Sequence, residues 1–420
     1  MEKILRTTEK IIPRKVYKAL QPYYHFTLAL LGTIIYRKPS RHIYVIGITG
    51  TKGKSSTTEF VSAALEGAGK KTAILSTIRF KVGDTTRPNK FKMTMPGRFF
   101  TQKFLRDAVD AGCEYAIIEM TSEGARFFRH TGVEMDALIF TNLSPEHIES
   151  HGSFEKYKKA KLRLVKHLSK SKKPIRLSIA NIDNEHAYSF LTQPIEKNIG
   201  YSLKHVRIIS ETSDSSIIDY KGNIIVIPLP GKFNISNALA ALSLAQELGL
   251  SINESKKGIE SLSLIRGRVE KIECGQDFTV IVDYAHTDDS LRKLYETFDS
   301  SRKIAVLGST GGGRDGWKRP VLGKIADEYC NEIIITNEDP YDEDPLKIIN
   351  EVASGVTTHT PHIIVDRRQA IAHAISLAKT GDTILITGKG TDPYIMGPSG
   401  TKEIWDDATV TREELQKRLS

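Results

Sequence analysis

The chain has 420 residues, 40% of them hydrophobic and 26% charged, which is typical of a globular protein too long for one common core and indicates two or three domains. Three widely spaced cysteines, Cys113, Cys274 and Cys330, argue against a disulfide framework or a zinc cluster and favour the cytoplasm. The net charge is +10, but the interleaved aromatic and basic residues typical of nucleic-acid binding are missing, so we expect no nucleic-acid partner.

Much of the positive charge lies at the start of the chain. Residues 1–42 carry nine Lys and Arg against two Glu, and they include the apolar run "YYHFTLALLGTIIY". This run is too short to span a bilayer and has no secretory cleavage site. Two interpretations stay open: a helical lid packed on the first domain, or a basic, apolar segment that touches an anionic membrane surface.

Residues 43–180 alternate between strand-like runs such as "IYVIGI", "YAIIEM" and "ALIF" and helix-like stretches, which predicts a parallel sheet covered by helices. The first run leads into "GITGTKGKSSTTEF". Gly50 and Gly53 allow backbone N–H groups to turn inward at a helix N-terminus, Lys54 adds a positive charge, and the Ser55 hydroxyl can reach a magnesium ion. Ile48 replaces the first glycine of the strict phosphate-loop pattern, and an ordinary strand-to-helix turn is the alternative.

Two later segments add candidate metal ligands. Glu119 ends the strand in "YAIIEMTSEG", at the edge of a parallel sheet where ligands bind. His147 and His151 follow the next strand end in "TNLSPEHIESHG", and Lys161 lies on the helix after it. Taken alone, Glu119 is equally well a solvated cap, each histidine a helix cap, and Lys161 a surface lysine.

The second half of the chain contains a small insert and a further domain. Residues 201–230 predict an antiparallel insert with the turn "KGN", and two helices follow. "LSLIRG", near 262–267, resembles a hinge, and strand–helix alternation then restarts. We therefore predict three parts: a short basic helical segment (1–42), a central domain (43–264) and a C-terminal α/β domain (265–420).

Eight motifs in order give the chain a specific resemblance: "GTKGKSS", "EMTSEG", "TNLSPEHIESHGSFEKYKKAKLRL", "LPGKFNISNALAAL", "GRVE", "DYAHT", "GGGRDGWKRPVLG" and "GKGTD". The chain resembles the Mur ligase family over about residues 43–420, and its tripeptide-synthetase branch more than the folylpolyglutamate branch. The resemblance implies a central P-loop-type parallel sheet with a small antiparallel insert, followed by a Rossmann-like C-terminal domain.

The resemblance also implies an activity. ATP and Mg²⁺ drive amide formation between the carboxylate of a muramyl-peptide-type precursor of peptidoglycan and an amino acid, through an acyl phosphate. A folylpolyglutamate- or polyglutamate-type ligase, or another P-loop phosphoryl-transfer enzyme, remains the alternative. The expected partners are a small-molecule or lipid-linked cell-wall precursor and an amino acid, and the expected form is a monomer.

Roles follow residue by residue from the same resemblance. The catalytic residues implied are Lys54, Lys161, Arg268 and His147. The implied metal ligands are Ser55, Glu119, His147 and Lys161, the last as a carbamate. The implied nucleotide contacts are Gly50, Thr51, Lys52, Gly53, Lys54, Ser55, Ser56, Asn234, Asn237, Arg268, Asp283, Tyr284 and His286. The implied acyl-substrate contacts are Thr94, Thr121, Ser122 and Arg129, and the amino-acid contacts are Arg314, Asp339, Tyr341 and Asp392.

Two departures from the family pattern affect specificity. Tyr341 stands where diaminopimelate-adding enzymes carry an arginine, and it lies among Glu338, Asp339, Asp342 and Glu343. This acidic neighbourhood favours an ammonium group, so we expect a diamino acid without a distal carboxylate, such as lysine. Only about 42 residues precede the first strand, where this branch usually has a domain for uridine diphosphate, so we expect a different anchor on the acceptor.

Overall fold

The structure is a computed structural model, and it describes residues 14–146, 148–299, 301–313 and 316–420. The chain forms two compact units, each of which combines several segments. The first unit includes the residues up to Ser144, Glu155–Ser202 and Ala240–Ser255; the second includes Pro145–Phe154, Leu203–Leu239 and Lys256–Ser420. The boundaries expected from the sequence, at 42/43 and 264/265, stay predictions.

The first unit is built on an eight-stranded sheet within the described residues. Its strands are β1 (Tyr44–Thr49), β2 (Thr72–Leu75), β3 (Arg79–Val82), β4 (Thr85–Pro88), β5 (Tyr115–Glu119), β6 (Ala137–Phe140), β7 (Leu177–Asn181) and β8 (Lys197–Tyr201). They lie in the order β4-β3-β2-β5-β1-β6-β7-β8. Neighbours from β2 to β8 pair in parallel, whereas β3 and β4 add antiparallel strands at one edge. The predicted parallel sheet is confirmed.

Tight packing of β1 explains its sequence. Ile46 and Ile48 are completely buried, as expected for a central strand covered on both faces. Between them, a Cβ on Gly47 would lie 2.9 Å from Met135 Sδ and 3.0 Å from Leu138 Cδ1, so any side chain there would have to displace these buried neighbours. Because β1 pairs with β5 on one side and β6 on the other, the loops after these three strands leave the sheet at the same edge.

Helices alternate with the strands in the first part of the chain. In chain order they are α1 (Arg14–Ile35), α2 (Lys54–Gly67), α3 (Arg98–Asp110), α4 (Ser122–Arg126), α5 (Ile148–His151), α6 (Phe154–Leu168), α7 (Tyr188–Leu191), α8 (Lys232–Glu247) and α9 (Ile252–Glu260). Helix α1 packs on α3, with Gly32 beside Phe99 and Gln102. No helix among the described residues is long and apolar enough to cross a membrane.

The predicted antiparallel insert is confirmed. Strands β9 (Arg207–Glu211), β10 (Ser216–Tyr220) and β11 (Asn223–Ile227) form a three-stranded antiparallel sheet in the order β11-β10-β9. Lys221 and Gly222 form the two-residue turn between β10 and β11, with φ of 52° and 79°. Two consecutive positive φ angles are what a tight hairpin with the right-handed strand twist requires, which explains the glycine.

The second unit contains a six-stranded sheet within the described residues. Its strands are β12 (Glu270–Lys271), β13 (Thr279–Asp283), β14 (Lys303–Leu307), β15 (Glu332–Ile335), β16 (His362–Ile363) and β17 (Thr383–Thr387), in the order β12-β13-β17-β14-β15-β16. Only β12 pairs antiparallel among them. A separate hairpin joins β18 (Tyr394–Met396) to β19 (Lys402–Ile404).

Helices cover both faces of this second sheet. They are α10 (Asp288–Thr297), α11 (Lys318–Tyr329), α12 (Pro345–Ala353), α13 (Arg367–Leu377) and α14 (Asp407–Leu419). One apolar core includes Leu291 of α10, Leu322 of α11 and Ile349 of α12, and the other includes Ala374 of α13 and Leu415 of α14. The predicted Rossmann-like arrangement is confirmed, and the loops after its parallel strands share one edge.

Candidate active site

The glycine-rich loop after β1 is held in place by the residues that follow β6. Thr51 N donates to Asn142 O (2.8 Å) and Lys52 N donates to Asn142 Oδ1 (2.9 Å). A Cβ on Gly50 would lie 1.9 Å from Thr141 Oγ1, so only glycine fits at this close approach. The loop is therefore fixed against a neighbouring strand end rather than left to fold around a ligand.

The loop ends at the N-terminus of α2, where the geometry suits an anion. Gly53 caps the helix with φ of 76°, a left-handed conformation that glycine adopts without strain. Lys54 Nζ donates to the carbonyl oxygens of Gly50 (3.1 Å) and Thr51 (2.8 Å), which keeps its ammonium over the loop. Backbone N–H groups at a helix N-terminus together with this lysine form a site for phosphate oxygens. Ser56 is buried in the first turn of the helix.

A buried carboxylate lies beside this loop. Ser55 Oγ donates to Glu119 Oε2 (3.0 Å), and Thr77 N donates to the same oxygen (2.8 Å). Thr77 Oγ1 is also hydrogen-bonded to Thr94 Oγ1 (2.8 Å). Glu119 is 2% exposed, so the solvated-cap alternative is wrong. A continuous chain of hydrogen bonds thus joins a predicted metal ligand to a predicted acyl-substrate contact.

Lys161 is buried as well, which excludes the surface-lysine alternative. It is 2% exposed, although Lys159 on the same helix α6 is exposed. Its Nζ donates to Gly50 O (2.5 Å) and lies 4.8 Å from the centre of the Tyr157 ring. The Tyr157 hydroxyl in turn lies 3.0 Å from Thr51 Oγ1. The structure therefore brings Lys161 to the nucleotide loop.

The predicted acyl-substrate residues follow β5. Thr121 caps α4 by accepting a hydrogen bond from Gly124 N (3.0 Å), and the next residue, Ser122, is buried. Arg129 Nη1 donates to Met95 O (2.8 Å), and its guanidinium lies 5.8 Å from the centre of the Phe127 ring. These residues surround the segment that begins at Glu119, so the first unit brings the predicted metal and acyl-substrate residues into one region.

Two predicted site residues, His147 and Arg314, lie outside the described residues. His151, the other candidate histidine, is buried on α5. No group of three or more His, Cys, Asp or Glu that could hold a metal occurs in the part of the chain that the structure describes.

In the second unit, two predicted nucleotide contacts lie side by side at the start of α8. Asn234 Nδ2 donates to Pro230 O (2.8 Å), and Asn237 Nδ2 donates to Asn234 Oδ1 (3.3 Å). Both asparagines are buried. Their side chains fix the loop that enters the helix.

The other nucleotide contacts of this unit follow β13. The Arg268 guanidinium lies 4.4 Å from the centre of the Tyr284 ring, and His286 Nδ1 lies 2.7 Å from Tyr284 O. Asp283 accepts hydrogen bonds from the backbone N–H groups of Val269 and Ala285, both at 2.7 Å. Burial raises the pKa of Asp283 and of Tyr284, and Arg268 opposes both shifts. Arg268 thus sits on a flat aromatic face with a carboxyl group nearby.

The predicted amino-acid contacts meet at the ends of β15 and β17. Lys389 Nζ donates to Asp339 Oδ1 (2.8 Å), Asp392 Oδ2 (3.1 Å) and Tyr394 O (2.6 Å). Lys389 is completely buried. Tyr341 N donates to Met396 O (3.0 Å), which fixes Tyr341 at φ of 53° beside the same cluster.

The acidic neighbourhood around Tyr341 is partly neutralised. Arg319 Nη2 pairs with Glu343 Oε2 (2.9 Å), and Gly313 N donates to the same carboxylate. These contacts lower the pKa of Glu343, with the Gly313 hydrogen bond as the largest cause. Asp342 accepts from Ser399 N (2.7 Å), whereas Glu338 Oε2 is buried without a hydrogen-bond partner among the described residues. Glu338 is therefore the carboxylate of this group with a hydrogen-bonding oxygen to spare.

Comparison with known proteins identifies the family. The model of the Mur ligase middle domain matches residues 48–245, and that of the Mur ligase glutamate ligase domain matches residues 267–390. The UDP-N-acetylmuramoyl-L-alanyl-D-glutamate–2,6-diaminopimelate ligase of Syntrophomonas wolfei subsp. wolfei is 36% identical, over 93% of this chain and 82% of that protein. The chain belongs to the Mur ligase family. The UDP-N-acetylmuramyl-tripeptide synthetase of Roseiflexus sp. (strain RS-1) is also 36% identical, over 94% of this chain and 82% of that protein.

Solved structures agree with this assignment. A structure of UDP-N-acetylmuramoyl-L-alanyl-D-glutamate–2,6-diaminopimelate ligase aligns with a TM-score of 0.61 and 27% identity, over 90% of this chain and 79% of that one. Mycobacterium tuberculosis folylpolyglutamate synthase aligns with a TM-score of 0.71 at 16% identity, over 87% of this chain and 93% of that one, which shows a shared fold alone. The predicted resemblance, the fold class and the enzyme class, an ATP-dependent ligase, are confirmed.

Within this Mur ligase, sequence reasoning missed three residues that organise the site. Asn142 fixes the nucleotide loop, Thr77 connects Glu119 to Thr94, and Lys389 joins Asp339 to Asp392. Asn142 and Lys389 stand inside motifs that were already recognised, and Thr77 follows the end of β2 closely. Their position at strand ends was the available signal.

Proposed function

We propose that this Mur ligase joins the carboxylate of a muramyl-peptide-type cell-wall precursor to the amino group of an amino acid, with ATP as the energy source. The observation that carries the proposal is the junction of the nucleotide loop with Glu119 in the first unit, where Ser55 Oγ and Glu119 Oε2 are 3.0 Å apart. The names of relatives that align over more than nine-tenths of this chain supply the substrate class.

The chemistry takes two steps. The precursor carboxylate attacks the γ-phosphorus of ATP, which forms an acyl phosphate and releases ADP. The amine then attacks the activated carbonyl carbon, and the carbon–oxygen bond to phosphate breaks as the amide forms. Negative charge spreads over the phosphoryl oxygens in the first step, and the Lys54 ammonium and the N–H groups at the start of α2 stabilise it. Arg268 is assigned the same task from the family resemblance.

The residues around Ser55 also fit a magnesium ion. Hydroxyl and carboxylate oxygens are the protein ligands that Mg²⁺ prefers, and Ser55 and Glu119 present one of each. When bound, the ion neutralises charge on the nucleotide phosphates. His147 is assigned as a further ligand from the family resemblance.

Lys161 is assigned as a carbamate. The ammonium groups of Lys54 and Lys161 both approach Gly50 O beside the phosphate loop. Carbamylation replaces the Lys161 cation with a carboxylate-like group, which explains why this lysine is buried there. The assignment rests on the family resemblance and on this burial.

The incoming amino acid is assigned to the cluster around Lys389 in the second unit. Asp339 and Asp392 are held by Lys389, and Arg314 is a further assigned contact. Tyr341 offers no charge to a distal carboxylate, and Glu338 lies close by with a hydrogen-bonding oxygen to spare. We therefore assign a lysine-type diamino acid rather than diaminopimelate.

The remaining assignments concern the whole chain. The acyl substrate is a small-molecule or lipid-linked cell-wall precursor that contacts Thr94, Thr121, Ser122 and Arg129. The domain ranges are those expected from the sequence, 43–264 and 265–420, after the basic segment 1–42. The protein acts as a cytoplasmic monomer.

Release of ADP and phosphate tests the proposed function. The full-length protein is incubated with Mg-ATP, UDP-N-acetylmuramoyl-L-alanyl-D-glutamate as acceptor, and either lysine or meso-diaminopimelate. Phosphate release should require both acceptor and amino acid, and mass spectrometry should find the amide product. Phosphate release at the same rate without the amino acid would indicate another phosphoryl-transfer enzyme. Product formation only with a folate acceptor and glutamate would indicate the folylpolyglutamate class.

A further inference from the structure

Helix α1 is apolar on the side that faces away from the first unit. His25, Ala29 and Thr33 are buried against the unit, one turn apart from each other. The opposite side exposes large apolar residues, each between 44% and 73% accessible: Tyr23, Phe26, Leu30, Leu31, Ile34 and Ile35. We call these six residues the outer face of α1.

The outer face is continuous except at the exposed Thr27, whose hydroxyl donates to Tyr23 O (2.9 Å). At 100° per residue, Tyr23, Leu30 and Ile34 align along the helix, with Phe26 on one side of them and Leu31 on the other. A helix that is apolar around its whole circumference is normally buried on all sides. A contiguous exposed apolar patch marks a surface that another body covers.

The charges around α1 indicate which kind of surface covers the outer face. Residues 14–42 contain six Lys and Arg and no Asp or Glu. Arg37 and Lys38 follow the C-terminal end of the helix and are exposed. Arg41 pairs with Glu134 (2.8 Å). Basic residues thus stand before and after the outer face in the segment 14–42. Two copies packed face to face would bring these like charges together. An anionic surface would attract the basic residues at both ends.

We propose that the outer face of α1 docks on an anionic membrane surface. The apolar side chains enter the boundary between headgroups and acyl chains, and the basic residues meet anionic headgroups. The helix lies along the surface, and the attachment is reversible and weakened by salt.

The docked face borders the segment assigned to the acyl substrate. The His25 ring meets the Phe127 ring edge to face at 5.2 Å, and the Phe26 ring meets the Phe128 ring in the same way at 5.9 Å. The Arg129 guanidinium lies over Phe127. On the proposed function, membrane docking thus brings the acceptor site next to the lipid surface, which suits a lipid-linked precursor.

Vesicle co-sedimentation of the full-length protein tests the proposal independently of ligase activity. The vesicles are phosphatidylcholine alone or with about 30 mol% phosphatidylglycerol, at about 0.05 M and about 0.5 M salt. The protein should sediment with the anionic vesicles at low salt and stay in the supernatant with neutral vesicles or at high salt. Failure to bind anionic vesicles at low salt, or equal binding to neutral ones, would overturn the proposal.

Two double variants separate the apolar and basic contributions. Leu30→Glu/Ile34→Glu should abolish binding. The control, Leu346→Glu/Ile404→Glu, introduces the same charge at residues elsewhere that are at least as exposed, and it should bind like the wild type. Arg37→Asn/Lys38→Asn should weaken partitioning about thirtyfold. Its control is Lys92→Asn/Lys221→Asn, because all four positions have positive φ, which asparagine tolerates.

A variant is compared with the wild type only if its melting temperature is close to that of the wild type. Equal loss of binding in the control variants would overturn the proposal, because the effect would then follow from net charge alone. Light scattering decides between a membrane and a second copy: a wild-type dimer that Leu30→Glu/Ile34→Glu converts to a monomer would also overturn it.

Discussion

Replacement of Lys161 by alanine separates a chemical role from a packing role. The side chain is 2% exposed, its Nζ lies 2.5 Å from Gly50 O, and it packs on the Tyr157 ring. Lys159, exposed on the same helix, provides the control variant Lys159→Ala. Lys161→Met is the second comparison, because it keeps an unbranched apolar chain of about the same length as the methylene stem and removes the amine.

The expected effect on stability follows from the contacts. Lys161→Ala deletes three buried methylene groups at about 0.8 kcal/mol each and one hydrogen bond of about 1 kcal/mol. Gly50 O keeps the Lys54 ammonium as a donor, so no large penalty for an unsatisfied carbonyl is added. The free energy of unfolding should fall by about 3 kcal/mol, and by less than half of that in Lys161→Met.

The expected effect on catalysis is larger than this packing loss explains. If the carbamate completes the charge-stabilising site, kcat should fall about 10²–10³-fold in both Lys161→Ala and Lys161→Met at temperatures where both are folded. Bicarbonate or a short carboxylate such as acetate should partly restore Lys161→Ala. Labelling with ¹³CO₂ should give a carbamate NMR signal in the wild type alone.

The carbamate assignment is wrong if folded Lys161→Met keeps the wild-type kcat. It is also wrong if no carboxylate restores an inactive Lys161→Ala and the wild type gives no ¹³C carbamate signal. Either result would leave Lys161 as a packing residue that supports Gly50. Lys159→Ala should match the wild type in every measurement.

Three further predictions use other parts of the site and core. Ser55→Ala should raise the Mg²⁺ concentration at half-maximal activity about tenfold, because the site loses the hydroxyl ligand beside Glu119, and an unchanged Mg²⁺ titration would contradict it. Tyr341→Arg should shift the ratio of kcat/KM values from lysine towards meso-diaminopimelate, since arginine pairs with a distal carboxylate; a wild type that already prefers diaminopimelate would show the assignment to be wrong. Burial, with His167 and Arg163 nearby, lowers the pKa of His130 from 6.5 to about 3. The free energy of unfolding should therefore be unaffected above pH 6.5 and fall as the pH drops towards 3, by about 3 kcal/mol at pH 4.5. Urea unfolding of His130→Gln should show a correspondingly smaller decrease between pH 7.5 and pH 4.5.

Local patterns in the sequence were sufficient for the sheets and the nucleotide loop. Continuous apolar runs such as Val45–Ile48 favour buried strands in an alternating βα pattern, and the glycines after them favour a phosphate loop. The turn at Lys221 and Gly222 was equally local, because two adjacent positive φ angles need a residue such as glycine. These features depend on neighbours within a few residues.

The burial of Lys161 was harder to predict, although a signal existed. Tyr157, Lys161, Leu164 and Leu168 recur at helical spacing and form the buried side of α6. A lysine on an apolar stripe indicates a partner in the interior, but several neighbouring lysines hid the pattern. The partner itself, Gly50 O, is 111 residues away and could not be found from periodicity.

The contacts made by Thr77, Asn142 and Lys389 depend on which strand ends meet, and this follows from strand order rather than from sequence distance. Strands β2, β5 and β1 are neighbours in space, so Thr77 reaches Glu119 across the sheet edge. The same limit applied to the acidic neighbourhood of Tyr341. Counting carboxylates suggested four negative charges, but Lys389 and Arg319 neutralise two of them.

The hydrogen-bond chain from Ser55 through Glu119 and Thr77 to Thr94 has a thermodynamic consequence. Any ligand that takes Glu119 Oε2 competes with the Thr77 amide for that oxygen and changes the donors available beside Thr94. We therefore expect the metal–nucleotide and the acyl substrate to alter each other's affinity, and linkage requires the same factor in both directions. Calorimetric titration of Mg-nucleotide with and without acceptor measures that factor in wild type and Thr77→Val. We therefore expect the Thr77 hydroxyl to couple the affinities of the two sites.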